Sequence, residues 1–271
     1  MDRPYAEVIG DPIAQSKSPL IHRFWLAALG LDADYRGTHV TPEQLGAYIA
    51  ERRDDPAWRG CNVTIPHKLV VLDHVGDPGG VRASIGAANC VFRGEGGAWI
   101  ATNTDAAGFY APIADLDLAD VPVAVVGSGG AARAVLFALA RMGVGPVTIL
   151  ARNPLKAVAL LATFGLKGDA VTLDAPLPPD AGLLVNASSL GMTGQPPLTL
   201  DLAPLPEDAV VYDLVYAPVE TGLLAAARAR GLPAVDGLDM LIGQAAAAFE
   251  LFFHAAPPRE RDDDLRTLLL A

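Results

Sequence analysis

Residues 121–141 read VPVAVVGSGGAARAVLFALAR. The run Val121 to Val126 is short, apolar and rich in β-branched residues, and it stops at Gly127-Ser128-Gly129-Gly130-Ala131-Ala132. Beyond that point alanines and large apolar residues recur at the spacing of one helix face. Strand, glycine turn and helix in this order match the fingerprint of a dinucleotide-binding βαβ unit, with Ala132 in the third small position. Each small residue has a physical task in such a unit. Gly127 allows the sharp turn, Gly129 lets a pyrophosphate approach the backbone, and Ala132 lets the helix lie close on the strand. The free N–H groups and positive end of the helix then face the phosphates.

The flanking segments alternate in the same way. Tyr5–Ile9, Ala33–Val40 and Gly60–Ile65 read as strands. Ser18-Pro19 reads as an N-cap with proline in the first helical position. Leu20, Ile21, Phe24, Trp25 and Ala28 form one apolar face of the following helix, which Gly30 ends. Thr41-Pro42 opens a helix towards Arg53, and Gly86–Arg93 and Ala98–Ala101 flank Gly94-Glu95-Gly96-Gly97, a hairpin signal. A mixed sheet fits this half best. After the glycine turn, Val147–Ala151, Leu183–Asn186 and Val210–Leu214 read as further buried strands. Tyr216 precedes a helix capped near Pro218. Asp236-Gly237-Leu238-Asp239 then breaks the pattern before a strongly apolar helix, Met240–Phe253. Pro257-Pro258 is a stop, and the tail from Arg259 reads as a last amphipathic helix. The fold class is α/β.

Composition narrows the partners. Of 271 residues, 51% are apolar and 19% charged, which is ordinary for a folded globular chain. No apolar run approaches the roughly 18 residues of a membrane span, and the N-terminus lacks the pattern of a signal peptide. Cys61 and Cys90 are the only cysteines, which points to a reducing, cytoplasmic setting and away from a disulfide scaffold or a cysteine metal site. The net charge of −11 disfavours nucleic acid and anionic membranes. A small anionic substrate remains compatible, because a pocket can be locally positive inside an acidic protein.

Several polar patches are candidates for chemistry. Ser16 and Ser18 sit just before a helix, where hydroxyls and helix N–H groups can hold a carboxylate. Asn62-Val63-Thr64-Ile65-Pro66-His67-Lys68 places polar side chains and one of only four lysines just after a strand. Asn103-Thr104-Asp105 follows the hairpin. Polar loops at the carboxyl ends of Leu183–Asn186 and Val210–Leu214 lie where doubly wound sheets bind ligands. The flanks of Gln244, Gly243 and Ala245–Ala248, suggest a buried amide. About 20 residues past the glycines, where NAD-binding folds usually carry an acidic residue for the ribose, stands Arg152, with Asn153 beside it and Lys156 one turn on. A guanidinium there favours a 2′-phosphate, so NADP is the expected cofactor, with NAD the alternative. A charge-assisted hydrogen bond of roughly 1.5–3 kcal/mol corresponds to about ten- to a hundredfold in preference.

Taken together and in this order, these patches resemble the shikimate dehydrogenase family, nearly end to end. The signatures are SKSP at Ser16–Pro19, NVTIPHK at Asn62–Lys68, GAAN at Gly86–Asn89 and NTD at Asn103–Asp105. They continue with GSGGAARA at Gly127–Ala134, NASSLGM at Asn186–Met192, YDLVYAP at Tyr212–Pro218 and DGLDMLIGQAA at Asp236–Ala246. Cys90 stands where the family commonly has threonine, and Ala151 and Asn153 flank Arg152 where Asn and Thr are usual. ARN at Ala151–Asn153 and PVET at Pro218–Thr221 look more like the shikimate dehydrogenase-like paralogues, whereas SKS looks like the biosynthetic enzyme.

The resemblance implies an N-terminal α/β substrate domain (1–103), a Rossmann-type doubly wound NADP domain (104–238) and C-terminal helices (239–271) returning to the substrate domain. It implies an NADP-dependent oxidoreductase of a CH–OH group, interconverting 3-dehydroshikimate and shikimate, as a monomer or homodimer. Quinate or quinate/shikimate dehydrogenation with NAD, or a non-catalytic dinucleotide-sensing paralogue, are the alternatives. Carried over by position, Ser16 and Ser18 hold the substrate carboxylate, and Thr64, Asn89, Asp105 and Gln244 its ring hydroxyls, with Tyr216 nearby. Gly127, Ser128, Gly129, Gly130, Ala131, Arg152, Lys156, Asn186, Ser188 and Met240 hold the cofactor. Lys68 and Asp105 are the catalytic pair. Hydride leaves a secondary alcohol only if the hydroxyl proton is removed in step. A lysine amine makes a base only where burial lowers its affinity for the proton, and a nearby carboxylate raises that affinity again. Lys68 is therefore the expected proton-transfer residue and Asp105 its orienting partner, with the exact division left open.

Overall fold

The computed structural model describes residues 3–271, in two compact units. One comprises Met1–Thr104 and Ile242–Ala271, the other Asp105–Leu241.

In the first unit the elements run β1 (Tyr5–Gly10), α1 (Ser18–Leu29), β2 (Asp34–His39), α2 (Leu45–Arg53), β3 (Trp58–Val63), α3 (Val81–Ser84), β4 (Cys90–Arg93) and β5 (Trp99–Thr102). The strands form one sheet in the order β2-β1-β3-β4-β5. β1 pairs parallel with β2 and β3, while β4 runs antiparallel to both β3 and β5, so the sheet is mixed. All of β1 is buried.

Two expectations for α1 need correction. Ser18 is its first helical residue rather than its cap, and the Ser18 N–H instead donates to Ser16 Oγ at 3.4 Å. The buried face is Ser18, Ile21, His22, Trp25 and Leu26, whereas Leu20 is 48% exposed and Ala28 is exposed. The face is rotated because His22, polar on any hydropathy scale, is wholly buried. Its ring stacks on Tyr35 at 3.9 Å and 3° and meets Trp25 edge-on. An imidazole packed face to face on a phenol offers the apolar contact that a residue-by-residue reading assigns to its neighbours.

The second unit runs α4 (Asp105–Tyr110), β6 (Val123–Val126), α5 (Gly130–Met142), β7 (Val147–Leu150), α6 (Pro154–Phe164), β8 (Gly168–Val171), β9 (Leu183–Asn186), β10 (Val210–Asp213), α7 (Gly222–Ala229) and β11 (Ala234–Val235). Six parallel strands form a sheet in the order β11-β10-β9-β6-β7-β8. The order reverses between β6 and β9, as in a doubly wound dinucleotide-binding sheet. Alternate residues supply two cores. Val123, Val125, Leu183, Val185, Val210 and Tyr212 pack with α5 and α6 on one face. Ala124, Val126, Leu184 and Val211 pack with Leu223, Leu224 and Ala227 of α7 on the other. Near-continuous apolar strands are what burial on both faces requires.

The helix expected near Pro218 begins later: Thr221 is the N-cap of α7, its hydroxyl accepting from the Leu224 N–H. The last elements are α8 (Gly237–Phe253) and α9 (Asp262–Leu270). Asp236 to Asp239 do not break this helix but begin it, with Asp236 Oδ1 accepting from the Leu238 N–H at 3.0 Å. The boundary between the units falls inside α8, and the portion from Ile242 onward packs in the first unit. There Phe252 meets Gly60 of β3, where a Cβ would stand 2.5 Å from the ring. Among the described residues no helix is long and apolar enough to cross a membrane.

Candidate active site

The candidate residues of the first unit gather at the carboxyl ends of its parallel strands. Backbone hydrogen bonds tie these ends together. The Asp11 N–H donates to Ile65 O, the Thr64 N–H to Ile9 O, and the Val40 N–H to Gly10 O, at 3.0–3.2 Å. Gly10 is needed there, since a Cβ would meet Thr64 Cγ2 at 2.5 Å and Ile65 O at 2.9 Å. The loop bearing Ser16 and Ser18 therefore leaves β1 directly against the loop bearing Thr64 and Lys68. His67, wholly buried, bonds Val40 O through Nε2 at 2.7 Å, and its N–H donates to Thr64 O at 2.9 Å. These bonds close the turn from which half-buried Lys68 emerges.

Ala87-Ala88-Asn89 is the hub of this arrangement. The Ala88 N–H donates to Lys68 O at 2.7 Å, and the Asn103 amide donates to Ala87 O at 2.8 Å. The buried Asn89 side chain then grips Thr104: Oδ1 accepts the Thr104 N–H at 2.7 Å, and Nδ2 donates to Thr104 Oγ1 at 2.9 Å and to Gln244 Oε1 at 3.3 Å. One short segment thus fixes the backbone of Lys68, the buried amide of Gln244 and the residue that precedes Asp105. Asn62 and Tyr35 lie behind it, the Tyr35 hydroxyl donating to Asn62 Oδ1 at 2.6 Å. Sequence reasoning assigned neither residue a role; the only signal was Asn62 inside a quoted motif. Asp105 itself opens α4 and is 4% exposed.

In the second unit the glycine turn follows β6 at the point where the strand order reverses. Gly127 has φ +109°, a conformation open to glycine. A Cβ on it would lie 3.0 Å from Ala187 O and 3.2 Å from Ser188 Cβ, so the loop after β9 presses on the turn. Among the described residues a Cβ on Gly129 would meet nothing within 4 Å, and no side chain caps the 13-residue helix α5 that starts at Gly130. An uncapped N-terminus facing open space, with Ser128 and Ala131 partly exposed beside it, fits a pyrophosphate. Ala132 is wholly buried in the core, where its small size lets α5 approach the sheet.

Arg152, just past the end of β7, and Lys156, in the first turn of α6, are both exposed. Asn153 Oδ1 accepts the Lys156 N–H at 3.1 Å and caps α6, which sets the two cations one turn apart on a helix N-terminus. Asn186 and Ser188 bond each other (Ser188 Oγ to Asn186 Oδ1, 2.7 Å). Tyr216 is partly buried, and burial raises its phenol above the ordinary range. Met240 is buried in the core that includes α5.

A parallel sheet with this strand order and a glycine turn at its switch point defines a dinucleotide-binding α/β protein. Residues 8–91 match the model of the shikimate dehydrogenase substrate-binding domain, and residues 237–262 that of the shikimate 5′-dehydrogenase C-terminal domain. The chain is 71% identical over 268 residues to a shikimate dehydrogenase (NADP+) of Sphingopyxis alaskensis, covering 99% of this chain and 97% of that one. It matches the crystal structure of shikimate 5-dehydrogenase from Thermus thermophilus in complex with NADP(H) and shikimate, with a TM-score of 0.86, 36% identity, and coverage of 98% and 100% of the two chains. A quinate dehydrogenase from Corynebacterium glutamicum in complex with NAD is similar at 28% identity, with a TM-score of 0.85 and coverage of 99% and 100%. The protein belongs to the shikimate dehydrogenase family.

Proposed function

We propose that the protein catalyses the reversible NADP-dependent reduction of 3-dehydroshikimate to shikimate. The observation that carries this reading is the Asn89 hub, which joins the backbone of Lys68, the amide of Gln244 and the residue before Asp105 in a chain 71% identical to a shikimate dehydrogenase (NADP+). Met1–Thr104 with Ile242–Ala271 is the substrate-binding half, and Asp105–Leu241 the dinucleotide-binding half. The reaction takes place in the cytoplasm, and the protein is a monomer or homodimer.

The residues divide the work as follows. Ser16 and Ser18 hold the substrate carboxylate by their hydroxyls. Thr64, Asn89, Asp105 and Gln244 bind the ring hydroxyls, with Tyr216 nearby, and select a polyol acid by giving each hydroxyl a partner already held by the protein. Holding donors in place before substrate arrives removes the cost of ordering them during the reaction. Lys68 takes the hydroxyl proton when shikimate is oxidised and returns it on reduction, and Asp105 orients that exchange. The nicotinamide, when bound, supplies or accepts the hydride. Gly127 to Ala131 receive the pyrophosphate, with Asn186, Ser188 and Met240 beside it, and Arg152 and Lys156 receive the 2′-phosphate.

Steady-state oxidation of shikimate and of quinate, each with NADP+ and with NAD+, tests this reading. The shikimate–NADP+ pair is expected to give the highest kcat/KM. A faster rate with quinate and NAD+ would instead place the protein with the quinate dehydrogenases. Folded protein inactive with every pair would remove the enzymatic assignment. Light scattering behind a sizing column reports the number of subunits.

A further inference from the structure

Asp213, the last residue of β10, is wholly buried and lies outside the site described above. Its Oδ1 accepts from Asn186 Nδ2 at 2.8 Å and from the Val215 N–H at 3.0 Å. Its Oδ2 accepts from the Thr221 hydroxyl at 2.6 Å. Thr221, 1% exposed, uses its oxygen in turn to accept the Leu224 N–H at 3.2 Å, capping α7.

A carboxylate can only accept, so it dictates which way the Asn186 amide faces. Nδ2 turns to Asp213 and to Leu190 O (3.0 Å), leaving Oδ1 for the Ser188 hydroxyl at 2.7 Å and the Ser188 N–H at 3.1 Å. Ser188 Oγ then accepts the Leu190 N–H at 3.2 Å. One chain of hydrogen bonds therefore runs from the N-terminus of α7 through Thr221, Asp213 and Asn186 to Ser188. Its far end is the loop that stands 3.0–3.2 Å from the position of a Cβ on Gly127. A rotation of the Asn186 amide would break the bonds to Ser188 and move the wall of the glycine turn.

We infer that Asp213 and Thr221 are positioning residues for the dinucleotide, holding Asn186 and Ser188 against the glycine turn in the form that receives it. The inference rests on the cofactor half of the proposed function. Neither residue has to touch the cofactor. Asp213 sets the orientation of Asn186, and Thr221 holds the second oxygen of Asp213 so that the first stays aimed at the amide. Hydrogen bonds to a buried charge are costly to leave unmade, so the arrangement has one low-energy form.

Calorimetric titration with NADP+, and separately with shikimate in the absence of cofactor, tests this on the intact protein. Thr221→Val keeps the shape and deletes the hydroxyl, Thr221→Ser keeps the hydroxyl, and Asp213→Asn replaces an acceptor with a donor. We expect Thr221→Val and Asp213→Asn to weaken NADP+ binding by about 5- to 30-fold, the effect of one lost buried hydrogen bond. Thr221→Ser should stay within about twofold of the parent, and shikimate affinity and stoichiometry should be unchanged in all three, within about twofold, which confirms a folded first unit. NADP+ affinity unchanged in both Thr221→Val and Asp213→Asn overturns the inference. So does a parallel loss of both ligands, or a Thr221→Ser variant as weak as Thr221→Val, since either marks a general loss of structure. Parent protein that binds NADP+ without oxidising shikimate sinks the proposed reaction and leaves the inference standing. Parent protein that does not bind NADP+ sinks the cofactor assignment and the inference with it.

Discussion

Lys68 and Arg152 show how differently two cations can be supported. Lys68 emerges from a turn closed by the backbone bonds of His67 and Ala88, so the chain fixes where its stem begins. Arg152 stands exposed beside a capped helix, with Lys156 one turn away. Replacing Lys68 by alanine removes the proposed proton-transfer group while leaving Ser16, Ser18, Asn89 and Gln244 in place. The expected result is a fall in kcat of about 10²- to 10⁴-fold, with shikimate binding still measurable by calorimetry; unchanged turnover would refute the role. Replacing Arg152 by alanine is expected to raise the KM for NADP+ by about ten- to a hundredfold and that for NAD+ by less than about threefold. Equal effects on both cofactors would show that the guanidinium does not meet the 2′-phosphate.

At the scale of elements, α8 comes into close approach with β3. Gly60 of β3 lies under Phe252, and a Cβ there would come within 2.5 Å of both the ring and Val91 O. Because Val91 O is backbone, relief requires β3, β4 or α8 to move. Gly60→Ala is therefore expected to destabilise the protein by about 1–3 kcal/mol, seen as a fall in Tm of roughly 3–10 °C. Gln244, a proposed partner of a substrate hydroxyl, rides two turns earlier on the same helix, so shikimate affinity should fall more than NADP+ affinity. An unaltered Tm would mean that the helix is not seated as described. The elements were unevenly legible in the sequence. β6, β9 and β10 are continuous apolar runs, and burial on both faces makes such runs easy to read. β8 is Gly-Asp-Ala-Val with two exposed residues, and β11 has two residues only. Neither has a strand's composition, and both are strands because parallel neighbours offer them hydrogen bonds. The start of α7 differs from the expected one because its cap, Thr221, is held by the side chain of Asp213 at the end of the preceding strand, β10, a contact that hydrophobic periodicity does not show.

At the scale of the whole molecule, buried titratable groups set the response to acid. Among the described residues His22 has no hydrogen-bond partner on either ring nitrogen, and burial lowers its pKa from 6.5 to about 3. Between those values the unfolded chain binds a proton that the folded one does not, so this contribution to stability is intact above about pH 6.5 and is lost as the pH falls. Glu7 acts in the same direction at lower pH. Desolvation would raise its carboxyl, but bonds from Arg52, Thr38 and Tyr48 outweigh that and hold it below the usual range, so its contribution disappears as the pH drops through the folded value. Stability is expected to decline by about 1.4 kcal/mol per pH unit from His22 alone. His22→Phe should flatten the denaturant midpoint between pH 7 and pH 5, and a variant as acid-sensitive as the parent would remove His22 from the account. The sequence by itself determined the α/β class, the glycine turn and the family, because periodicity, small residues at fixed offsets and short motifs are properties of neighbouring positions. Only the tertiary structure decided that His22 belongs to the core, that Asn89 joins Thr104 to Gln244, and that Asp213 governs Asn186. Those are contacts between residues from 15 to 155 positions apart in the cases of Asn89 with Thr104 and with Gln244, and the hydrogen bond that makes each pairing favourable exists only once the intervening chain has folded.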